Sequence, residues 1–227
     1  MKIKHVFFDL DHTLWDFEKN SEYAFQKIFS RNNITVDLEA FLEVYKPLNK
    51  QFWKLYREEK VTKEALRYGR LKNTFDAINY TVSKDLIDVI AIQYIDALPD
   101  FNHLFDGALE LLDYLKDKYK LHIITNGFEE VQRKKIINSK IHHYFDKIIT
   151  SESVGVKKPN PKVFEYALEI TNAKKEHSIM IGDNLEADIQ GALDVGLDAI
   201  YCNFEGSEIE TNQIKTIVSL LELKQYL

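Results

Sequence analysis

The hydrophobic pattern of the chain changes twice. Residues 2–8 alternate and then run apolar, as a strand buried in a parallel sheet does. From residue 16 to residue 100, apolar residues recur at helical spacing, and no strand rich in valine or isoleucine interrupts them. After that, short apolar runs alternate with amphipathic stretches, which predicts βαβ units and a parallel sheet.

These patterns predict an α/β fold. Residues 1–15 and 101–227 are expected to form a doubly wound parallel sheet, a Rossmann-like core. Residues 16–100 are expected to form an all-helical cap domain inserted into this core, because the interval is far too long for a loop. Ser83 is predicted to cap one helix of the insert. The predicted core strands are 121–125, 147–150, 177–181, 199–202 and 214–217, and the predicted core helices are 106–119, 129–138, 161–171, 186–195 and one starting at 219.

Composition and charge exclude several classes of function. The net charge is −6 and the lysines and arginines are scattered among acids, so no nucleic acid polymer is expected as a partner. No apolar run approaches the length of a membrane span, and no signal peptide is expected. The single cysteine, Cys202, allows no internal disulfide, which is typical of a reducing cytoplasm.

Four polar clusters stand where a predicted strand ends or a predicted helix begins. The first is Asp9 with Asp11, directly after the first apolar run. In parallel sheets the ligand crevice lies beyond the carboxyl ends of the strands, so these side chains are expected to line it together. The other three clusters are Thr125-Asn126-Gly127, Lys157-Lys158-Pro159, and the acids Asp183 and Asp188 with Asn184 between them.

Several carboxylates around one crevice would repel one another without a cation. Magnesium is usually held by one or two carboxylates together with water and phosphate oxygens, which matches Asp9 and Asp183. Zinc is disfavoured because the seven histidines are scattered, no H-E-x-x-H occurs and only one thiol is present. The clusters therefore predict a Mg²⁺ site beside an anion-binding site.

In this order the four clusters resemble the motifs of the haloacid dehalogenase superfamily, in the subfamily with a helical cap inserted after the first motif, and the resemblance spans the whole chain. It implies that Asp9 attacks phosphorus to form an aspartyl phosphate, and that Asp11 protonates the leaving oxygen and then activates water. It implies a phosphatase that acts on a small phosphomonoester. We expect this phosphatase to be cytoplasmic, as the single cysteine indicates, and to be a monomer or a weak homodimer.

The same resemblance implies the ligands of the site. Mg²⁺ would be bound by the side chains of Asp9 and Asp183 and by the backbone carbonyl of Asp11, with Asp188 and Asn184 in supporting positions. The phosphoryl group would be bound by Thr125, Asn126 and Lys158. Lys157 competes with Lys158, but the lysine directly before Pro159 is the one that matches the family. Lys134 and Lys135 are interpreted as part of a solvated face.

A narrower resemblance comes from the insert. The sequence is similar here to that of pyrimidine 5′-nucleotidases that act on noncanonical nucleoside monophosphates. The residues that carry this similarity are 49–53, Tyr56, Leu66, Gly69 and Arg70, together with Phe128 after the second cluster. This resemblance implies nucleoside 5′-monophosphates as substrates, with Trp53 and Arg70 as candidate substrate contacts. Aromatic residues at helical spacing more often pack in a core, and that alternative stays open for Trp53.

Rival functions remain on the same fold. A dehalogenase uses the first aspartate but typically lacks the second acid, whereas Asp11 is present. A sugar-phosphate phosphatase or a phosphomutase would use both aspartates. A non-catalytic binding protein is disfavoured because all four motifs are intact.

Overall fold

A computed structural model describes residues 2–204, 206 and 214–227 of the chain. The chain divides into two compact units, one formed by Met1–Phe17 with Asn102–Leu227 and the other by Glu18–Phe101. Residues 1, 205 and 207–213, which the predicted core ranges include, lie outside the described residues. The predicted fold class, a parallel α/β core with an inserted helical domain, is confirmed.

Strands and helices alternate through the first unit, while the second contains helices. The strands are β1 (His5–Phe8), β2 (Lys120–Thr125), β3 (Phe145–Thr150), β4 (Ser178–Gly182), β5 (Asp198–Cys202) and β6 (Lys215–Ile217). The helices are α1 (Phe17–Arg31), α2 (Leu38–Arg57), α3 (Lys63–Ala77), α4 (Lys84–Ala97), α5 (Ala108–Leu115), α6 (Glu129–Asn138), α7 (Ser151–Val154), α8 (Pro161–Thr171) and α9 (Gly191–Asp194).

β1 lies at the switch point of the sheet, where the order in which successive strands are added reverses. The order is β3-β2-β1-β4-β5-β6, and every pairing is parallel. Phe8, the last residue of β1, is aligned with Ile123 on β2 and Ile181 on β4. Ligands bind at such a switch point, beyond the carboxyl ends of the strands. The residues that follow β1, β2 and β4 therefore meet at one edge of the sheet.

Three of the predicted core helices differ from the structure. The helix predicted over 106–119 spans Ala108–Leu115, because the amides of Lys118 and Tyr119 both donate to the carbonyl of Leu115 and close a turn. The helix predicted over 186–195 begins with a π-helical turn, Leu185–Gln190, and continues as α9. The predicted final helix is the 3₁₀ helix Leu220–Gln225.

The two segments that connect the first unit to the insert are paired with each other. The amide of Asp16 donates to the carbonyl of His103 at 3.1 Å, and the amide of Phe105 donates to the carbonyl of Leu14 at 3.0 Å. Trp15 and Leu104 form an antiparallel bridge between them. The chain thus leaves the first unit and re-enters it at neighbouring points.

The inserted unit is built around an aromatic core. Phe25 packs against Phe41, Tyr45 and Tyr94, with ring centroids 4.5–5.0 Å apart. Ser83 caps α4 as predicted, since its hydroxyl accepts the amide of Leu86 at 3.2 Å.

None of the helices in the described residues is long and apolar enough to cross a membrane.

A pair of buried histidines lies in the sheet. His122 on β2 is fully buried, and its Nε2 is 3.1 Å from Nδ1 of His5 on β1. Its ring stacks on Phe7. Burial and the neighbouring His5 lower the pKa of His122 to about 4, since the imidazolium form is poorly solvated there.

This lowered pKa predicts how stability depends on pH. Between about pH 6.5 and pH 4 the imidazole of His122 is protonated to a greater extent in the unfolded chain than in the folded one, so this residue lowers the stability as the pH falls through that window. We expect the difference in free energy of unfolding between wild type and His122→Gln to change by on the order of 2 kcal/mol across it. Urea titrations at several pH values measure this difference. The exposed His142→Gln is the control, and an equal pH dependence in both variants would contradict the prediction.

Candidate active site

Three carboxylates converge at the switch point of the sheet. Asp9 follows β1, Asp183 follows β4, and Asp188 lies in the π-helical turn. One carboxylate oxygen from each lies within 4.8 Å of the others. The hydroxyl of Thr13 donates to Oδ1 of Asp183 at 3.4 Å, a contact that spans 170 residues and was not predicted. The structure thus brings Asp9 and Asp183 together at the edge of the sheet where they were predicted to meet.

Lys158 lies among these acids. Its Nζ is 2.6 Å from Oδ1 of Asp9 and 2.6 Å from Oδ1 of Asp188, and it donates to the carbonyl of Ile124 at 2.6 Å. The side chain is 2% exposed. All three ammonium hydrogens have an acceptor, which a buried lysine requires. Lys158 is therefore in direct contact with the acid cluster.

The electrostatics of the cluster are unbalanced, because three carboxylates face one ammonium. Burial raises the pKa of Asp9 to about 7, against the opposing effect of Lys158. Burial, followed by the charges of Asp188 and Asp9, raises the pKa of Asp183 well above its ordinary value. Burial disfavours the charged form of Lys158, but Asp188 and Asp9 outweigh it and raise the pKa of the ammonium.

The residues of the cluster fit a divalent cation. They supply closely spaced carboxylate oxygens, the donors that magnesium prefers, and they leave excess negative charge in a buried place. A bound cation would favour the ionised carboxylates and lower their pKa values. The described residues offer this one group of three metal-ligating side chains with suitable spacing.

Close backbone approach explains the glycine at the end of β4. A Cβ atom on Gly182 would collide with the carboxylate of Asp188. That carboxylate is held in place, since its Oδ2 accepts the amide of Asn184 at 3.0 Å. The side chain of Asn184 accepts the amide of Ala187 at 2.9 Å and so caps the π-helical turn. Asn184 and Asp188 thus fix the geometry of the loop after β4.

The second predicted cluster, after β2, holds the loop that carries Lys158. The Asn126 side chain donates to the carbonyl of Lys158 at 2.9 Å and accepts its amide at 2.8 Å. Thr125 Oγ1 accepts two donors, the amide of Gly127 at 3.1 Å and Nε2 of Gln132 at 2.8 Å. With both lone pairs used, the Thr125 hydroxyl hydrogen can be donated to an anion. Phosphate contacts by Thr125 and Asn126 stay predictions.

Asp11 is bound by two residues of α6 that were not predicted. Its Oδ1 is 2.6 Å from Nζ of Lys135, and its Oδ2 accepts Nε2 of Gln132 at 2.9 Å. The interpretation of Lys135 as a solvated residue is wrong, because its side chain is 2% exposed. Gln132 and Lys135 share the buried face of α6 with Val131 and Ile136, and that spacing was the available signal.

The candidate substrate contacts of the insert are placed within that unit. Trp53 is partly buried on α2, and its ring meets Tyr56 edge-on. Arg70 on α3 is buried, donates to Oδ1 of Asn49 at 2.8 Å and lies over the ring of Tyr94. Their contact with a substrate stays a prediction.

Comparison with known proteins identifies the family. A model of haloacid dehalogenase-like hydrolases matches residues 3–196. The pyrimidine 5′-nucleotidase YjjG of Escherichia coli is 33% identical over 100% of this chain and 99% of its own length. A glyceraldehyde 3-phosphate phosphatase of Methanothermobacter thermautotrophicus is 33% identical over 94% of this chain and 91% of its own.

A solved structure agrees with this result. The crystal structure of the HAD-hydrolase YfnB of Bacillus subtilis bound to magnesium matches with a TM-score of 0.89 and 29% identity, over 100% of this chain and 99% of that one. The resemblance predicted from the motifs is thereby confirmed. This chain belongs to the haloacid dehalogenase-like hydrolase family.

Proposed function

We propose that this protein is a magnesium-dependent phosphomonoester hydrolase that acts on nucleoside 5′-monophosphates, with Asp9 as the nucleophile. One observation carries the proposal: the carboxylate of Asp9 stands at the switch point of the sheet, beside Lys158, Asp183 and Asp188. Nucleotides are the preferred substrates because YjjG, which aligns over the full chain, is a pyrimidine 5′-nucleotidase.

The first half of the proposed reaction transfers the phosphoryl group to the protein. An oxygen of Asp9 forms a bond to phosphorus while the bond from phosphorus to the ester oxygen breaks. Asp11, in its protonated form, gives its proton to that oxygen, and the alcohol leaves. The ammonium of Lys158 and the hydroxyl of Thr125 stabilise charge on the phosphoryl oxygens.

The second half restores the protein. Asp11, now a carboxylate, takes a proton from water, and the water oxygen attacks phosphorus. The bond between phosphorus and Asp9 breaks, which releases phosphate and returns Asp9 to its carboxylate form. The order of these steps makes Asp11 an acid first and a base second.

The metal would be held by the carboxylates of Asp9 and Asp183 and the backbone carbonyl of Asp11, with Asp188 in support. When bound, Mg²⁺ would supply positive charge against the phosphoryl oxygens and the ionised acids. Lys158 alone cannot neutralise three carboxylates, so we expect the protein to depend on added metal. We further infer a small-molecule substrate in the cytoplasm; a monomer or weak homodimer stays a prediction.

Phosphate release tests the proposal. Purified protein is incubated with nucleoside 5′-monophosphates, sugar phosphates and p-nitrophenyl phosphate, with Mg²⁺ or with EDTA. We expect release that depends on Mg²⁺ and falls by at least about 100-fold in EDTA, because the uncatalysed reaction is extremely slow. Absence of release from every ester would overturn the proposal and leave a binding protein or a phosphomutase.

A sugar-phosphate phosphatase is the second candidate. The specific observation in its favour is the glyceraldehyde 3-phosphate phosphatase that is 33% identical over 94% of this chain. The ratio of kcat/KM for nucleotides to kcat/KM for triose phosphates separates the two candidates. A phosphomutase would instead move the label of a ³²P sugar phosphate to another hydroxyl of the sugar, without release of inorganic phosphate.

A further inference from the structure

Asp11 is held in one orientation by two side chains of the same helix. Its two carboxylate oxygens each have a different donor on α6, Nζ of Lys135 at 2.6 Å and Nε2 of Gln132 at 2.9 Å. Two donors on two oxygens fix the rotation of the carboxylate as well as its position. Both contacts span more than 120 residues of sequence, at separations of 124 and 121.

Lys135 is costly to bury, and the carboxylate of Asp11 and two aromatic rings lie around its ammonium and offset that cost. Its side chain is 2% exposed. Nζ lies 4.1 Å from the centroid of the Trp15 ring and 5.3 Å from that of Phe17. Such ring faces attract a desolvated cation, but the ion pair with Asp11 is the strong interaction. The carboxylate of Asp11 and the two rings together therefore fix the position of the ammonium.

Gln132 connects Asp11 to the phosphate-binding loop. The two hydrogens of its Nε2 go to Asp11 Oδ2 and to Thr125 Oγ1, at 2.9 Å and 2.8 Å. Gly127 leaves room for this carboxamide, since a Cβ there would collide with it. The amide thus holds a fixed spacing between the group that would transfer the proton and a group that would hold the phosphoryl oxygens.

We propose that Lys135 and Gln132 are positioning residues that act on the reaction through Asp11. This inference rests on the proposed function, because it assigns the two side chains to the proton-transfer group of that reaction. Neither side chain is taken to touch the substrate. Their effect is to hold the carboxyl group of Asp11 where it can reach the ester oxygen as an acid and then the attacking water as a base.

The test measures kcat/KM for Lys135→Met with two esters, in purified protein with Mg²⁺. A nucleoside 5′-monophosphate has an alkoxide leaving group that needs a proton, whereas p-nitrophenolate leaves without one. We expect a loss of about 100-fold for the nucleotide and a much smaller loss for p-nitrophenyl phosphate, because kcat/KM reports the step in which the leaving group departs. KM should stay close to that of the wild type.

Asp11→Asn provides the second arm. If Lys135 acts through Asp11, Lys135→Met should change kcat/KM for p-nitrophenyl phosphate by less than about 2-fold in the Asp11→Asn background. Lys135→Arg, which keeps the cation, should recover part of the nucleotide activity. Lys134→Met, a neighbouring exposed lysine on the same helix, is the matched control and should behave as wild type.

Gln132→Leu carries the same test should Lys135→Met fail to fold, as judged by circular dichroism. The substitution removes the donor to Asp11 and also an Oε1 atom that has no hydrogen-bond partner in the described structure. Equal losses with both esters, or losses that persist undiminished in Asp11→Asn, would overturn the inference and leave the proposed function standing. A wild type that releases phosphate from neither ester would overturn the proposed function and this inference with it.

Discussion

Asp9→Asn is expected to lower kcat for phosphate release by at least about 10⁴-fold, because an amide cannot form the bond to phosphorus that the proposed reaction needs. Asp9 lies beside Lys158, Asp183 and Asp188, so the substitution changes one atom in a site that is otherwise intact. Steady-state assays with Mg²⁺ measure the loss. Asp117→Asn, an exposed aspartate of the same unit, is the control and should keep full activity.

The same variant should remain folded. Asp9 is one of three closely spaced carboxylates, and burial raises its pKa to about 7, so its ionised form is less favoured in the folded protein than in the unfolded chain. Replacing it with a neutral amide relieves repulsion, so we expect the melting temperature in EDTA to be unchanged or higher. A variant that is inactive because it is unfolded would not support the assignment.

Chemical trapping adds an independent readout. When wild type turns over a ³²P-labelled ester and is quenched with acid, the protein should carry label that hydroxylamine removes, as an acyl phosphate does. Asp9→Asn should carry none. Normal turnover by Asp9→Asn, or label retained in it, would assign the nucleophile to another residue.

Lys158→Met is expected to impair both activity and stability, in contrast to Asp9→Asn. Its ammonium is the cation that faces Asp9 and Asp188, each at 2.6 Å, and loss of one such donor to a developing charge lowers kcat by about 10³-fold. Removing it also leaves two buried carboxylates without their partner, which destabilises the fold by about 3 kcal/mol. Phosphate release and urea unfolding in EDTA measure the two effects.

Added metal separates the two consequences of Lys158→Met. Mg²⁺ should recover part of the lost stability, because it can neutralise the same acids, but it should not restore kcat. Lys157→Met is the matched control, since the side chain of this neighbour is more exposed than that of Lys158, and it should keep wild-type turnover. Full activity in Lys158→Met with loss in Lys157→Met would reverse the assignment of the two lysines.

Much of the acid cluster could be predicted from the sequence, for a physical reason. Side chains that follow parallel strands meet at one edge of the sheet. Because Asp9 and Asp183 each follow a predicted strand, they are expected to be neighbours. The placement of Lys158 needed the family pattern as well, because two adjacent lysines are equivalent by composition. The contact between Thr13 and Asp183 depends on the path of a loop, which periodicity does not describe.

The contacts of α6 were missed for a different reason. A lysine on an amphipathic helix normally faces water, and Lys134, the residue before Lys135, does so. Lys135 is buried because Asp11, 124 residues away in sequence, supplies its counter-charge. Only the alignment of Gln132 and Lys135 with the apolar residues Val131 and Ile136 distinguishes the buried face beforehand. The hydrophobic pattern therefore predicts which face of α6 is buried. Which polar side chains are buried with it depends on contacts with residues far away in the sequence.

The paired connector at Leu14–Asp16 and His103–Phe105 has a consequence for how such an enzyme can diversify. Because main-chain hydrogen bonds already join the points of exit and re-entry, the sheet does not rely on the 84 intervening residues, Glu18–Phe101, to close its own chain path. We therefore expect that segments of other length or shape can replace Glu18–Phe101 with little effect on the positions of the residues around Asp9. The length of the insert can then change in evolution while the main-chain path that carries Asp9 and Asp11 is kept.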